Sequence, residues 1–471
     1  MSAGPEPKPP LVLQQRATDE YVPPPLTPAA ATARRRVVGE GEDRSRQVGL
    51  GLGSYWASRL GTAAGLQALN DASGWSYYDV PDEASDDFAA ANEAFGGPGP
   101  VIDVQTHYIA DARHMDEAAG ALIRSYRDRA PDWWTGLDGI VGYGLAEFLR
   151  CVYVESEVIA AVLTAPPADD RGDRFLDNLE LAGTRELLDR MAGTGRLFNH
   201  AVVQPNLPGE LDRMASWHDK LQPVGWKVYT AGVILGERSP GRGIPEDDRW
   251  MLDDEEVGMP FLARARDLGS KVICSHKGLS RDVDNGSPRD IGPCAKAFPE
   301  LQFIVYHSGF EPELAEGPYT EETAGVGVNR LIKTLYDNDI PRGGNVSAEL
   351  GTTWFCLIKR PEEAAHLLGK LLLHLGADNV IWGTDSIWYG PSQPVIDAFR
   401  TFQIPEWMQE KFGYPALTPE IKDKILCRNA ARIYGFDVDA LLSTQRNDAI
   451  GWTRQAALEA EAHGIRSRAL D

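Results

Sequence analysis

Cysteine is scarce in this chain of 471 residues: Cys151, Cys274, Cys294, Cys356 and Cys427 are scattered, odd in number and without any Cys-x-x-Cys pair. That excludes a disulfide framework and a zinc-finger or thioredoxin-like motif, so all five read as reduced core residues. No apolar run approaches the ~18 residues of a membrane span. Basic charge is also short, with 47 Lys and Arg against 69 Asp and Glu for a formal net charge of -22. Such a surface repels nucleic-acid phosphates and anionic lipid, and excludes both as partners. The Arg34-Arg35-Arg36 run lacks the apolar stretch that would make it an export signal, so the expected compartment is the cytoplasm. A Gly-rich phosphate loop is missing too. The first apolar run leads into QTHYIAD, which argues against a doubly wound nucleotide-binding sheet.

What is present is an ordinary globular composition, 43% hydrophobic and 25% charged. Residues 1–45 hold eight prolines, from Pro5 to Pro28, and little apolar periodicity, and read as a tail or arm. Residues 46–100 carry Tyr55, Trp56, Leu60, Leu66 and Leu69 at helical spacing and read as a cover packed on the main domain. From 101 to 436 apolar runs alternate with helical stretches: VIDVQTH, VIAAVLTAP, RLFNHAVVQPN, GWKVYT, KVICSHKG, LQFIVYHSG, NVSAELG and VIWGTDS. Eight such runs predict an α/β fold, a (β/α)₈ barrel of the TIM type. A helical insertion is expected after the first run, closing helices after the eighth, and a helical tail over 437–471.

A parallel barrel keeps its chemistry at the C-terminal ends of its strands. Those ends carry Gln105 and His107, Lys227, His276, His307, Glu349 and Asp385, and thus three of only nine histidines in the chain. Imidazoles with a carboxylate suit an open catalytic site for Zn²⁺, with Fe²⁺ or Mn²⁺ as alternatives, because they leave a position for water. His200 and His218 lie off this pattern, and His114, His366, His374 and His463 fall on expected helices.

Taken together, VIDVQTHY, WKVY, ICSHKG, FIVYHSG and WGTDSIWYG resemble the amidohydrolase superfamily, in particular the amidohydrolase-related branch that includes aminocarboxymuconate semialdehyde decarboxylase. The likeness covers 101–436. It implies a metal-dependent barrel in which a His-x-His on the first strand, the fifth-strand His276 and the eighth-strand Asp385 bind the ion. His307 would be a further ligand or an acid/base. The chain departs from that pattern at Gln105, where the family carries its first histidine; the reading keeps His107, His276 and Asp385 as ligands, with Gln105 as weak ligand or hydrogen-bond partner. A metal-free site is the alternative. In two-metal members the fourth-strand lysine is carboxylated and bridges both ions; with one strand-one ligand weakened, one ion is expected and Lys227 pairs with a carboxylate or polarises substrate. Glu349 is expected to serve structure.

The expected activity is hydrolysis of a small organic substrate by metal-activated water, with catalytic roles for His307, Asp385 and Lys227. Tyr229, Trp250, Trp354, Trp388 and Tyr389 offer aromatic walls for a flat substrate. Non-oxidative decarboxylation of an aromatic or unsaturated acid is the alternative, and it needs a cation for the carboxylate, for which Lys277, Arg281 and Arg330 are candidates. A third reading is a metal-free binding or assembly protein. The Pro-rich arm is compatible with exchange between subunits, and a homodimer is expected.

Overall fold

The structure is a computed structural model and describes residues 8–16, 23–97, 99–109, 143–165, 176–231, 249–280 and 283–462. The helical insertion expected after the first strand therefore falls mostly outside the described residues, as do Arg281, His114 and His463.

All eight apolar runs form strands, each parallel to its neighbours. In order they are Val101–Thr106, Val158–Leu163, a third strand in two pieces (Leu197–Asn199 and Ala201–Val202), Trp226–Tyr229, Val272–His276, Gln302–Tyr306, Val346–Glu349 and Val380–Ile381. The third strand breaks at His200, yet its ladder continues: His200 N donates to Leu163 O at 3.0 Å, and Ala201 N to Gly225 O at 3.1 Å. Between the first and eighth strands Val104 N reaches Trp382 O at 3.2 Å and Asp385 N reaches Gln105 O at 2.9 Å, which closes the barrel. Helices cover the outside and side chains fill the inside, so nearly every strand residue is buried. That is why the strands read as continuous apolar runs rather than alternating ones.

The helices obey local rules. Asn178–Ala192 starts on a reciprocal capping box between Asp177 and Glu180 and stops at left-handed Gly193. Past the eighth strand, Cys427, Ala430 and Ile433 pack into one apolar cluster with Ile102, Ile159, Val272, Ile304 and Ile381. Asn429 ties this closure to the sheet by donating to Val380 O at 2.8 Å. Beyond it lie Val438–Asn447 and Ala449–Ala462. Asp448, between them, pairs with Arg196 at the start of the third strand at 2.7 Å, both side chains buried. All five cysteines are free and buried. No helix among the described residues is long and apolar enough to cross a membrane.

The described part of residues 1–45, namely 8–16 and 23–45, departs from the expected tail. Pro28–Gln47 is a helix capped by Thr27, with Pro28 in its first turn. Its buried stripe is Ala30, Ala33, Val37, Gly41 and Ser45. These small residues let the helix approach closely: a Cβ on Gly41 would lie 2.8 Å from the Trp56 ring. Leu11, Val12 and Leu13 are buried as well, with Val12 seated over Gly65. The segment that follows is fastened to the barrel by Arg59, which binds Asp397 at 3.1 Å and Glu157 at 2.7 Å.

Candidate active site

Four of the strand-end residues converge in hydrogen-bonding contact, all of them buried. Asp385 is the hub. Its Oδ1 lies 3.0 Å from His107 Nε2 and accepts from Gln105 Nε2 at 3.0 Å. Gln105 Nε2 is also 3.4 Å from His307 Nε2. The His276 ring meets His307 edge-on with centroids 4.6 Å apart. His107 Nδ1 sits 2.7 Å from Thr164 O and His307 Nδ1 sits 2.8 Å from Gly351 O. A carbonyl can only accept, so each Nδ1 carries a proton and each ring turns its Nε2 toward the cluster.

Backbone strain is concentrated here. His307, Ser308, Thr352 and Asp385 all have positive φ, at 62°, 57°, 55° and 60°. None is glycine, and such residues cost about 1–3 kcal/mol each unless the surroundings hold them. Glu349 helps hold them: it accepts from His307 N at 3.2 Å and from Gly351 N at 2.6 Å. Glycine is required beside it, because a Cβ on Gly383 would fall 1.9 Å from Glu349 Oε1 and one on Gly351 would fall 2.3 Å from Gln105 Oε1.

The electrostatics follow from burial. Burial pushes the His307 imidazolium down to about 4, with Lys227 and His107 adding to the shift and Asp385 opposing it. His276 is pushed well below the ordinary range by burial, then by His307, Lys227 and Lys277. Burial raises the Asp385 carboxyl, but the His107 hydrogen bond and the charges of His107 and His307 outweigh it and leave it below the ordinary range. Glu349 moves the other way: burial lifts it to about 8, so it is largely protonated at neutral pH.

Lys227 stands apart from the four. Its ammonium lies 3.5 Å from the Tyr306 ring centroid and 4.7 Å from that of Tyr229, inside the barrel. It acts on His276, His307 and Glu349 through its charge. Among the aromatic candidates, Tyr229 faces His276 at 5.2 Å and Trp388 faces His107 at 6.2 Å. Trp354 instead packs on Phe399 and Phe402 and spends its indole N–H on Val395 O. Two cations considered for a substrate carboxylate are engaged elsewhere: Lys277 with Asp290 at 2.6 Å, and Arg330 with Glu311 at 3.0 Å.

One residue escaped the reading of the sequence. Thr352 donates to Asp385 Oδ2 and contacts the Tyr389 hydroxyl. Its only sequence signal is its place just past the seventh strand, in LGTTW.

The donor set has the chemistry for one divalent ion: three imidazoles, two of which, His107 and His307, hold their Nδ1 on backbone carbonyls and so aim Nε2 at the site, and the Asp385 carboxylate. An imidazole lone pair and a carboxylate oxygen 3.0 Å apart call for a cation between them, a proton or a metal. The spacing is that of hydrogen bonds, and among the described residues no three His, Cys, Asp or Glu side chains surround a common metal position.

An eight-stranded parallel barrel with histidines and an aspartate at its strand ends is the class of molecule these observations define. The amidohydrolase family model matches residues 102–436, and the chain belongs to that family. No curated protein matches the chain significantly. Among solved structures it is similar to an uncharacterized TIM-barrel protein from Bordetella bronchiseptica, with 15% identity over 71% of this chain and 98% of that one and a TM-score of 0.47. It is also similar to a 5-carboxyvanillate decarboxylase from Novosphingobium aromaticivorans complexed with manganese, with 13% identity, 72% and 96% coverage and a TM-score of 0.43. A 2,6-dihydroxybenzoate decarboxylase from Rhizobium matches at 14% identity, 72% and 99% coverage and a TM-score of 0.42.

Proposed function

We propose that the protein is a metal-dependent hydrolase acting on a small, flat organic substrate at the strand-end cluster. The observation that carries this reading is the orientation of His307. Its Nδ1 proton is committed to Gly351 O, so the atom facing the site is an acceptor, suited to taking a proton from water. Decarboxylation asks the reverse, a group that gives a proton to carbon. The engagement of Lys277 and Arg330 with their own carboxylates also weakens that route.

His107, His276 and Asp385 would hold one divalent ion, Zn²⁺ by donor chemistry, with Fe²⁺ or Mn²⁺ as alternatives. Gln105, which donates to Asp385, is better described as that ligand's hydrogen-bond partner than as a ligand itself. When bound, such an ion supplies Lewis acidity, polarising a substrate oxygen and making water more acidic. His307 Nε2 accepts the proton of the attacking water. Lys227 contributes a fixed positive potential beneath the site, favouring negative charge that develops on the substrate. Trp388 and Tyr229 wall the substrate and keep bulk water out.

The test is elemental analysis of protein purified without added metal or chelator, for the wild type beside His276→Ala and Asp385→Ala, followed by a substrate screen. About one equivalent of metal, lost in both variants, is expected. Two equivalents would revive a bridging role for a carboxylated Lys227. No metal in any sample after reconstitution would sink the reading, and carbon dioxide release without incorporation of solvent oxygen would replace hydrolysis by decarboxylation.

A further inference from the structure

We propose that Thr352 and Tyr389 are positioning residues that cap one oxygen of Asp385, so that the carboxylate meets a divalent cation through the other oxygen alone. The inference rests on the metal reading above and goes beyond it by assigning what holds the carboxylate.

Thr352 Oγ1 donates its single proton to Asp385 Oδ2. In its contact with the Tyr389 hydroxyl it can therefore only accept, so Tyr389 O–H is the donor. The chain runs Tyr389 to Thr352 to Asp385 Oδ2. Oδ1 is left facing His107 Nε2 and Gln105 Nε2, each at 3.0 Å.

The cost of this arrangement indicates that the hydroxyl has a task. Thr352 stands at φ 55° and ψ -45°, a conformation that a β-branched side chain strongly disfavours. Glycine would fit there with less strain, and the chain places its glycine one residue earlier, at Gly351. The strain is held by a closed loop of contacts. Thr352 O accepts from Cys356 N at 2.9 Å and thereby opens the helix Thr353–Leu357. Phe355 on that helix stacks on the Tyr389 ring at 3.9 Å and 21°. Tyr389 in turn reaches back to Thr352. Thr353 Oγ1 donates to His307 O at 3.0 Å, so the same helix start also fixes the neighbouring histidine. Hydrogen bonds to a ligating carboxylate set its orientation, and losing one typically weakens metal binding by about 10–100-fold.

The test titrates cobalt(II) into metal-free full-length protein, reading affinity and the visible d–d absorption of wild type, Thr352→Val, Thr352→Ser and Tyr389→Phe. Thr352→Val, of equal shape without the hydroxyl, should bind cobalt about 10–100-fold more weakly. Its d–d bands should lose intensity as Oδ2 becomes free to coordinate. Thr352→Ser should return to within about threefold of wild type, and Tyr389→Phe should fall between. Wild-type affinity and spectrum in Thr352→Val overturn the proposal, as does a serine variant that behaves like valine. If Thr352→Val fails to fold by circular dichroism, Tyr389→Phe decides, because it leaves the strained backbone in place; no change in it overturns the proposal. A wild type that takes up no cobalt overturns the metal reading itself, whereas a wild type that binds beside variants that match it overturns this inference alone.

Discussion

The two ends of the barrel bury polar groups in opposite ways. At the start of the third strand Arg196 gives Nε and Nη2 to Asp448 and Nη1 to Ile159 O at 3.1 Å, with the Tyr153 ring 4.8 Å away. Every contact sets a donor against an acceptor, or positive charge against negative. At the other end, His276 is packed against His307, whose charge pushes the protonation of His276 down, while the Gln105 Oε1 atom has no hydrogen-bond partner among the described residues. Two imidazoles pressed together in a buried place add little to the stability of the fold. One end ties the chain together through matched charges, and the other gathers the groups on which the proposed metal site rests.

That contrast predicts separable effects. Arg196→Met leaves Asp448 buried and unpaired, which costs about 3–5 kcal/mol. Urea denaturation should register that loss while metal content per folded molecule stays at the wild-type value. A drop in metal content in this variant would erase the distinction between the ends. His276→Leu is the converse. It removes an imidazole pressed against another, so stability should stay within about 1 kcal/mol of wild type or rise, while metal affinity falls by at least about 100-fold. Loss of several kcal/mol from this substitution would mean that the histidine cluster is a structural element.

Much of this was legible in the sequence, and the exceptions have physical causes. All eight strands could be read because a parallel barrel buries both faces of each strand and so writes them as apolar runs. The break at His200 could not be read, since it depends on which carbonyls the neighbouring strands present. Pro28–Gln47 passed for a tail because its buried stripe is alanine, glycine and serine, which pack by close approach rather than by bulk. At the site, His107, His276, His307 and Asp385 were marked by residue type and strand-end position. Thr352 was not: a hydroxyl that orients a ligand leaves no mark until the loop after the seventh strand is seen folding over Asp385.

His200 lies inside the barrel between the two ends and sharpens the comparison through pH. Burial first, then the charges of Lys227 and His107, push it from 6.5 down to about 3. The unfolded chain therefore binds a proton near pH 5 that the folded protein refuses, so stability is lost as pH falls through that window. From pH 7 to about pH 5 this one residue should cost about 2 kcal/mol. His200→Gln should lose less stability than wild type by that amount, whatever its stability at pH 7. Parallel losses in the two proteins would mean that His200 accepts its proton in the folded state.

The smallest expected effect tests the departure that marks the end with the proposed metal site. Gln105 donates to Asp385 Oδ1, the oxygen that Thr352 leaves available, and so competes with a cation for it. Replacing the amide by an imidazole substitutes a lone pair for that donor and adds a borderline-soft nitrogen ligand. Gln105→His should therefore bind Zn²⁺ about tenfold more tightly, measured by competition with a chromophoric chelator, with a smaller gain for Mn²⁺ because oxygen-preferring ions benefit less from imidazole. Equal or weaker Zn²⁺ binding would mean that the Gln105 amide belongs to the working site, holding Asp385 and His307 in register. The departure from the family pattern would then be a specialisation of this barrel rather than a weakened ligand.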